Sequence, residues 1–293
     1  MSLMSLVSLL ILGFVLRTVT GLRGALRGLT ARSTTGWAAT ACTVATAAVG
    51  LRLLPVPAGI TSGIHSIAAA LLLTPLIDVL GARHPGNRVW SWFVVVPMLL
   101  MLLWPTISHL FSESVDTPVA ISLPATGGFL LVLVMGTGNH FGTANHSACL
   151  AGAVGILLFT LPVTEWCAWP GDSYCLASSI SLAIAALLIE GRLRSTGDSA
   201  GHQRLWVDFR DIYGIVWARR VMDRINQFAD REQWNIVMTL DGFRTRKESV
   251  HVTDISERPE EILRWVLRRF ADDEFLDRYL AKKTQAHTSD TGD

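Results

Sequence analysis

Two short polar segments with nearly the same sequence contain the side chains best suited to chemistry. Residues 136–140 read Gly-Thr-Gly-Asn-His and residues 142–146 read Gly-Thr-Ala-Asn-His, a repeat with a period of six. Each segment ends in an imidazole, which can ligate a metal or relay protons near neutral pH. The repeat predicts a metal or proton-relay site or, alternatively, a polar loop that merely turns the chain. The candidate ligands of such a site are Asp78, His84, His140 and His146.

A second pair of histidines allows a different cofactor. His65 and His109 lie in two of the apolar runs, described below, that are expected to cross a membrane. They are expected at similar depth, on the side opposite to the repeat, where two facing imidazoles could hold a haem iron. The alternative is a pair of uncharged histidines bonded to backbone or water. We therefore predict no cofactor, with a metal ion or haem as the alternatives.

The C-terminal third of the chain has no recognisable catalytic motif. It lacks a P-loop, a glycine-rich dinucleotide loop, an HExxH sequence and clustered cysteines or histidines. An arginine set in its first helix predicts an acidic binding partner or, alternatively, a solvated face balanced by its own acids. The net charge of +1 gives no indication of nucleic-acid binding. The arginines that form the predicted partner site are Arg219, Arg220 and Arg224.

The elements that must position these residues are apolar runs. Half of the 293 residues are hydrophobic, and runs of nearly 20 apolar residues are long enough to cross a bilayer as helices. Residues 1–190 contain no lysine, as expected where charge burial is costly. The seven predicted spans are Met1–Leu16, Gly36–Leu54, Ile60–Leu80, Val89–Leu110, Val119–Met135, Ser147–Val163 and Tyr174–Ile189.

The arginines between the runs predict the orientation. If every run crosses once, six of the seven arginines in residues 1–190 lie on one side and Arg52 lies on the other. Basic connections stay cytoplasmic, so the N-terminus is expected outside a cytoplasmic membrane and the C-terminal domain inside. The first connection, Thr20–Arg32, is expected to form either an interfacial helix on anionic lipid or a basic loop that only fixes topology. Its predicted lipid-contacting residues, with the arginine before it, are Arg17, Arg23, Arg27 and Arg32.

Two further patterns concern the spans. Cys167 and Cys175 flank a connection expected on the oxidising side, where a disulfide can form, the alternative being two unpaired thiols. The second, sixth and seventh spans are rich in Ala, Gly, Ser or Thr, which let helices approach closely. Those faces predict packing inside the bundle or against a partner, including a second copy of the chain.

The expected fold is a membrane all-α bundle of seven transmembrane helices, N-out and C-in, followed by a small cytosolic α+β domain. That domain reads as helix, β-hairpin and helix, with Asp241-Gly242 as the turn signal and Pro259 near the start of the last helix. The predicted divisions are residues 1–190 for the transmembrane domain, 191–203 for a linker, 204–283 for the cytosolic domain and 284–293 for a disordered tail.

Three functions remain open from the sequence. The first is a non-enzymatic membrane protein whose cytosolic domain binds a partner in assembly or signalling. The second is a small-molecule transporter or channel, suggested by glycine-broken sequence near the fifth span. The third is a metal- or haem-dependent membrane enzyme that uses the histidines.

Overall fold

The first two thirds of the described chain fold into a helical bundle. The computed structural model describes residues 2–81, 88–112, 116–165, 171–195, 201–246 and 257–280. Helices suit the apolar runs because a helix satisfies its backbone polar groups internally, as the hydrocarbon of a membrane requires. The helices of the bundle are α1 (Leu3–Ala25), α2 (Arg32–Leu51), α3 (Ala58–Leu72), α4 (Thr74–Gly81), α5 (Arg88–Ser112), α6 (Leu123–Gly138), α7 (His146–Thr160) and α8 (Gly171–Ser195).

Five helical segments of the described chain are long and apolar enough to cross a membrane. By length and composition they identify a polytopic membrane protein, as predicted. Helix α6 is apolar but has 16 residues, and α2 does not belong to the five, so the seven crossings stay a prediction. The five segments are Leu3–Ala25, Ala58–Gly81, Trp92–His109, His146–Val163 and Gly171–Arg194.

Small residues are used for packing within the chain. Ala41, Ala45 and Ala48 of α2 are fully buried, and α2 lies against both α1 and α3. At Gly155 of α7 the backbone of α7 comes close enough to α8 for the Ser178 hydroxyl to donate to the Gly155 carbonyl at 2.7 Å. The predicted close approach of these helices is therefore made inside one copy of the chain.

The connections meet at two ends of the bundle. At one end, Arg52 after α2 lies 3.4 Å from Asp172 at the start of α8. At that same end, the Ile121 amide before α6 donates to the Val163 carbonyl after α7 at 2.7 Å. The opposite end contacts the C-terminal domain.

The C-terminal domain has the predicted order of helix, hairpin and helix. Strands β1 and β2 are antiparallel and in register from Ile236 opposite Thr245 to Thr239 opposite Gly242, so the turn falls at Leu240 and Asp241. The last predicted helix is two helices, the first of which ends at Leu267 and the second of which begins at Asp273. The elements are α9 (His202–Arg231), β1 (Ile236–Thr239), β2 (Gly242–Thr245), α10 (Glu257–Leu267) and α11 (Asp273–Leu280).

The connection between α1 and α2, residues 26–31, belongs to the core of the C-terminal domain. Leu26 and Leu29 are buried in the same apolar cluster as α9, α10 and α11. Leu29 forms an isolated antiparallel bridge with Ala271, and the Thr30 amide donates to the Phe270 carbonyl at 2.9 Å.

This arrangement corrects the sequence-based interpretation of Thr20–Arg32. Helix α1 continues to Ala25 instead of ending at Leu16, so the first part of the segment is helical. Helix α8 is also longer than predicted and runs to Ser195 instead of ending at Ile189. The leucines of the connection are buried in protein. The leucines therefore pack on protein and not on lipid, whereas lipid contact of the exposed arginines stays a prediction.

Replacing Leu29 by alanine should destabilise the C-terminal domain. Leu29 is buried, and leucine-to-alanine changes in cores cost about 2–5 kcal/mol. Hydrogen exchange of α9 and α10 in the detergent-solubilised protein measures the loss of protection. Arg27→Ala, two residues away with an exposed side chain, is the matched control. Equal protection in both variants would contradict a shared core.

Candidate functional site

The polar repeat binds helix α9 where that helix is broken. At Gly214 the backbone has φ +80° and ψ 178°, so the helical hydrogen bonds are interrupted. Asn139 replaces them: its carbonyl accepts from the Ile215 amide at 2.7 Å and its Oδ1 accepts from the Val216 amide at 3.0 Å. Its Nδ2 donates to the Tyr213 carbonyl at 2.9 Å. One side chain and its own carbonyl thus satisfy three backbone groups that the break leaves unpaired.

The second half of the repeat binds α9 one turn earlier. Asn145 Nδ2 donates to the Asp211 carbonyl at 2.8 Å, and the Ala144 amide donates to Asp211 Oδ1 at 3.2 Å. The six-residue spacing therefore brings two asparagine amides to the same helix. In the structure, the asparagine amides of the repeat bind backbone groups of α9.

The two histidines of the repeat lie in different environments. His140 is buried, and burial lowers the pKa of its imidazole, an effect partly offset by the nearby Asp211. His146 is exposed, with Nδ1 at 3.1 Å from the Thr143 carbonyl. Among the described residues, no three histidines, cysteines or acids lie close enough together to hold a metal. His84 lies outside the described residues, so the predicted metal site remains a prediction.

Asp78 binds the start of α2. Its side chain is buried, and Oδ2 accepts from Ser33 Oγ at 2.6 Å and from Thr34 Oγ1 at 2.7 Å. The positive N-terminal end of the α2 helix dipole also stabilises a carboxylate at this position. Asp78 therefore holds α4 to α2 through hydroxyl groups and does not reach water.

The Tyr213 hydroxyl connects three segments. It lies 2.7 Å from Thr30 Oγ1, donates to the Phe270 carbonyl at 2.9 Å and accepts from the Ala31 amide at 3.3 Å. Burial raises the pKa of Tyr213, so the hydroxyl keeps its proton near neutral pH. One turn along α9, Trp217 Nε1 donates to the Val79 carbonyl at 3.0 Å.

We name these contacts of α9 and the α1–α2 connection with the helix ends the docking interface. Sequence reasoning missed both Tyr213 and Gly214, because an isolated glycine in a helical pattern is usually tolerated without a break. A Tyr-Gly pair inside an otherwise amphipathic helix was the available signal. The residues that form the docking interface are Thr30, Ala31, Asp78, Val79, Asn139, Asn145, Asp211, Tyr213, Gly214 and Trp217.

The other predicted site residues are not members of this interface, although Arg220 stacks over Trp217. His65 is buried, with Nε2 at 2.7 Å from the Phe159 carbonyl, and His109 Nε2 lies 2.9 Å from the Thr117 carbonyl, which fits histidines bonded to backbone, and the haem alternative stays a prediction. Cys175 is buried with a free thiol, and Cys167 lies outside the described residues, so the disulfide stays a prediction. Two predicted sets have exposed side chains: Arg17, Arg23, Arg27 and Arg32 for lipid, and Arg219, Arg220 and Arg224 for a partner.

Known proteins add no family to these observations. Comparisons with protein-family models, curated proteins and solved structures each found no match to this chain. The contacts described above are therefore the basis for proposing a function.

Gly214→Ala should weaken the docking interface. A Cβ at residue 214 would overlap the Asn139 amide, and the backbone conformation itself costs a non-glycine residue about 1–3 kcal/mol. Gly138→Ala is the matched control, because a Cβ there meets nothing within 4 Å. Thermal unfolding in detergent should show a lower midpoint for Gly214→Ala alone. Equal midpoints for the two variants would be incompatible with the tight approach at Gly214.

Proposed function

We propose that this chain is a seven-span protein of the cytoplasmic membrane, with its N-terminus outside, whose cytosolic domain binds a protein partner in assembly or signalling. The partner site is the arginine face, defined as Arg219, Arg220 and Arg224 on the second half of α9. Its chemistry predicts a partner with an acidic surface.

One observation carries the assignment of this face. Within the described ranges, its three guanidinium groups make no ion pair: Arg220 stacks over Trp217 at 4.9 Å, Arg224 stacks over Phe228 at 5.0 Å, and Arg219 is exposed. Several other arginines of the domain are paired with local acids, whereas Arg269 and Arg278 also lie over aromatic rings. The ion pairs of the first group include Arg210–Asp211 at 3.0 Å, Arg264–Asp277 at 2.6 Å and Arg268–Asp273 at 2.8 Å.

The docking interface supports a role in which the domain is fixed to the membrane part. A domain held through Asn139, Tyr213 and Trp217 presents the arginine face at a constant distance from the bilayer. A preorganised binding face loses less conformational freedom on binding than a mobile one. The structure therefore suits a membrane-anchored platform for a partner.

The two alternative functions receive less support. A cavity of about 40 Å³ between α6 and α7 is lined mainly by apolar side chains such as Phe129, Leu133 and Ile156, which gives no support to a solute pathway there. A haem iron bound by His65 and His109 would have to replace the bonds of Nε2 to the carbonyls of Phe159 and Thr117 or use the other ring nitrogens.

Cysteine labelling from outside the cell tests the seven crossings. In a background without the four native cysteines, a membrane-impermeant maleimide should modify Ala58→Cys and Thr117→Cys but not Phe141→Cys. All three positions are exposed and lie outside the predicted spans. If α2 and α6 failed to cross while the N-terminus stayed outside, residues 58 and 117 would both lie inside and escape labelling. Permeabilised cells provide the control, because residue 141 should then react.

Charge reversal on α9 tests partner binding. Affinity purification of the full-length protein from its native membranes, with quantitative mass spectrometry, should recover a partner about tenfold less with Arg219→Glu and Arg224→Glu together. Arg231→Glu, an exposed arginine on the same helix, is the matched control and should retain the partner. The same recovered proteins in all samples would contradict the proposed face.

A further inference from the structure

A groove of about 250 Å³ opens between α4, α5 and α6. Its walls are apolar, and it extends about one helical turn along α5 and α6, or roughly 5 Å at 1.5 Å per residue. Pockets that enclose a whole small ligand are roughly 300–1,000 Å³, so this groove fits part of a molecule. The wall residues are Ile77, Leu80, Val94, Met98, Val132 and Met135.

One end of the groove is closed by α9. Trp217 and Arg220 line it there, and Arg220 is the single charged side chain among the lining residues. The Arg220 guanidinium lies 4.9 Å from the centre of the Trp217 ring and makes no ion pair in the described part of the chain. An apolar slot thus ends at a cation at the level where the helices meet the C-terminal domain.

Exposed apolar side chains flank the groove, as suits a surface that contacts hydrocarbon. Phe93 of α5 and Leu131 of α6 are exposed on the two flanking helices, and Met135 forms an exposed part of the rim. A groove that opens onto hydrocarbon will be filled by a lipid chain or by another helix. A whole helical turn about 10 Å across occupies roughly 400 Å³, so a neighbouring helix would enter this groove with side chains only. The cation at the groove end favours a lipid that has a phosphate.

We infer that this groove binds an anionic phospholipid, with one acyl chain against α4, α5 and α6 and the phosphate on Arg220. Guanidinium groups bind phosphate through charge-assisted hydrogen bonds, and an apolar chain gains from contact with the closely packed walls. The cytoplasmic leaflet is the anionic one, so the assignment to that leaflet rests on the proposed orientation. Binding itself requires neither that orientation nor a protein partner.

Native mass spectrometry of the detergent-solubilised full-length protein tests the inference. Titration with dioleoyl phosphatidylglycerol should give a bound lipid, and dioleoyl phosphatidylcholine should bind roughly tenfold more weakly because its headgroup has no net charge. Arg220→Gln should weaken phosphatidylglycerol binding roughly tenfold, whereas Arg220→Lys should keep most of it because the charge remains. Arg231→Gln, exposed on the same helix and outside the groove, should bind like the wild type.

A second pair of variants tests the acyl-chain part. Met135→Trp covers the groove from its exposed rim and should also reduce binding, whereas Met101→Trp, on an exposed face of α5 away from the groove, should not. Thermal unfolding checks that both variants are folded. Unchanged phosphatidylglycerol binding in Arg220→Gln or Met135→Trp, equal binding of both lipids, or binding of inorganic phosphate alone as tightly as of phosphatidylglycerol would each overturn the inference. A failure of partner binding in the Arg219 and Arg224 variants would leave this readout unaffected.

Discussion

The backbone break at Gly214 is acceptable only because a residue from another part of the chain completes its hydrogen bonds. A buried amide or carbonyl left unpaired costs about 1–3 kcal/mol, and the break frees three such groups. Asn139 pairs all three, and a side chain at residue 214 would occupy the space of the Asn139 amide. Loop and helix are thus complementary in shape and in hydrogen bonding, and neither arrangement would be stable alone.

The connection between α1 and α2 supplies part of the core of the C-terminal domain, so the folding of that domain depends on the membrane part. Leu26 and Leu29 follow α1 directly, yet they are buried with α9, α10 and α11. The Tyr213 hydroxyl then joins Thr30 to the Phe270 carbonyl, which ties the same connection to two parts of the domain. An isolated fragment that begins at residue 203 lacks these leucines, so apolar surface on its core would be exposed to water.

Sequence patterns predicted those elements whose conformation is determined by residues close to one another in the chain. Apolar length predicted the long helices, and Asp241-Gly242 predicted the hairpin. The sequence interpretation of the repeat relied on its histidines, whereas its asparagines make the contacts with α9. The spacing of residues in the repeat does not indicate which distant helix an asparagine amide will bind. The contact between Thr30 and Tyr213 joins residues 183 positions apart, and no local pattern indicates such a pair. The basic charge of Thr20–Arg32 drew attention to lipid, while its leucines determined where the segment lies.

The arginine face and the lipid groove both depend on the part of α9 that begins at the break. Trp217 donates to the Val79 carbonyl and also closes the groove, so an occupant that shifted Trp217 would strain the bond to α4. Arg220 and Arg224 follow on the same helix face at four-residue spacing. A partner that pulled on this segment would act on the groove, and lipid in the groove would act on the partner, because any coupling between two binding sites is reciprocal. The second half of α9, which begins after the break at Gly214, contains Trp217, Arg220 and Arg224 and also pairs with β1 through Asn226, so it is the part through which membrane and partner can influence each other.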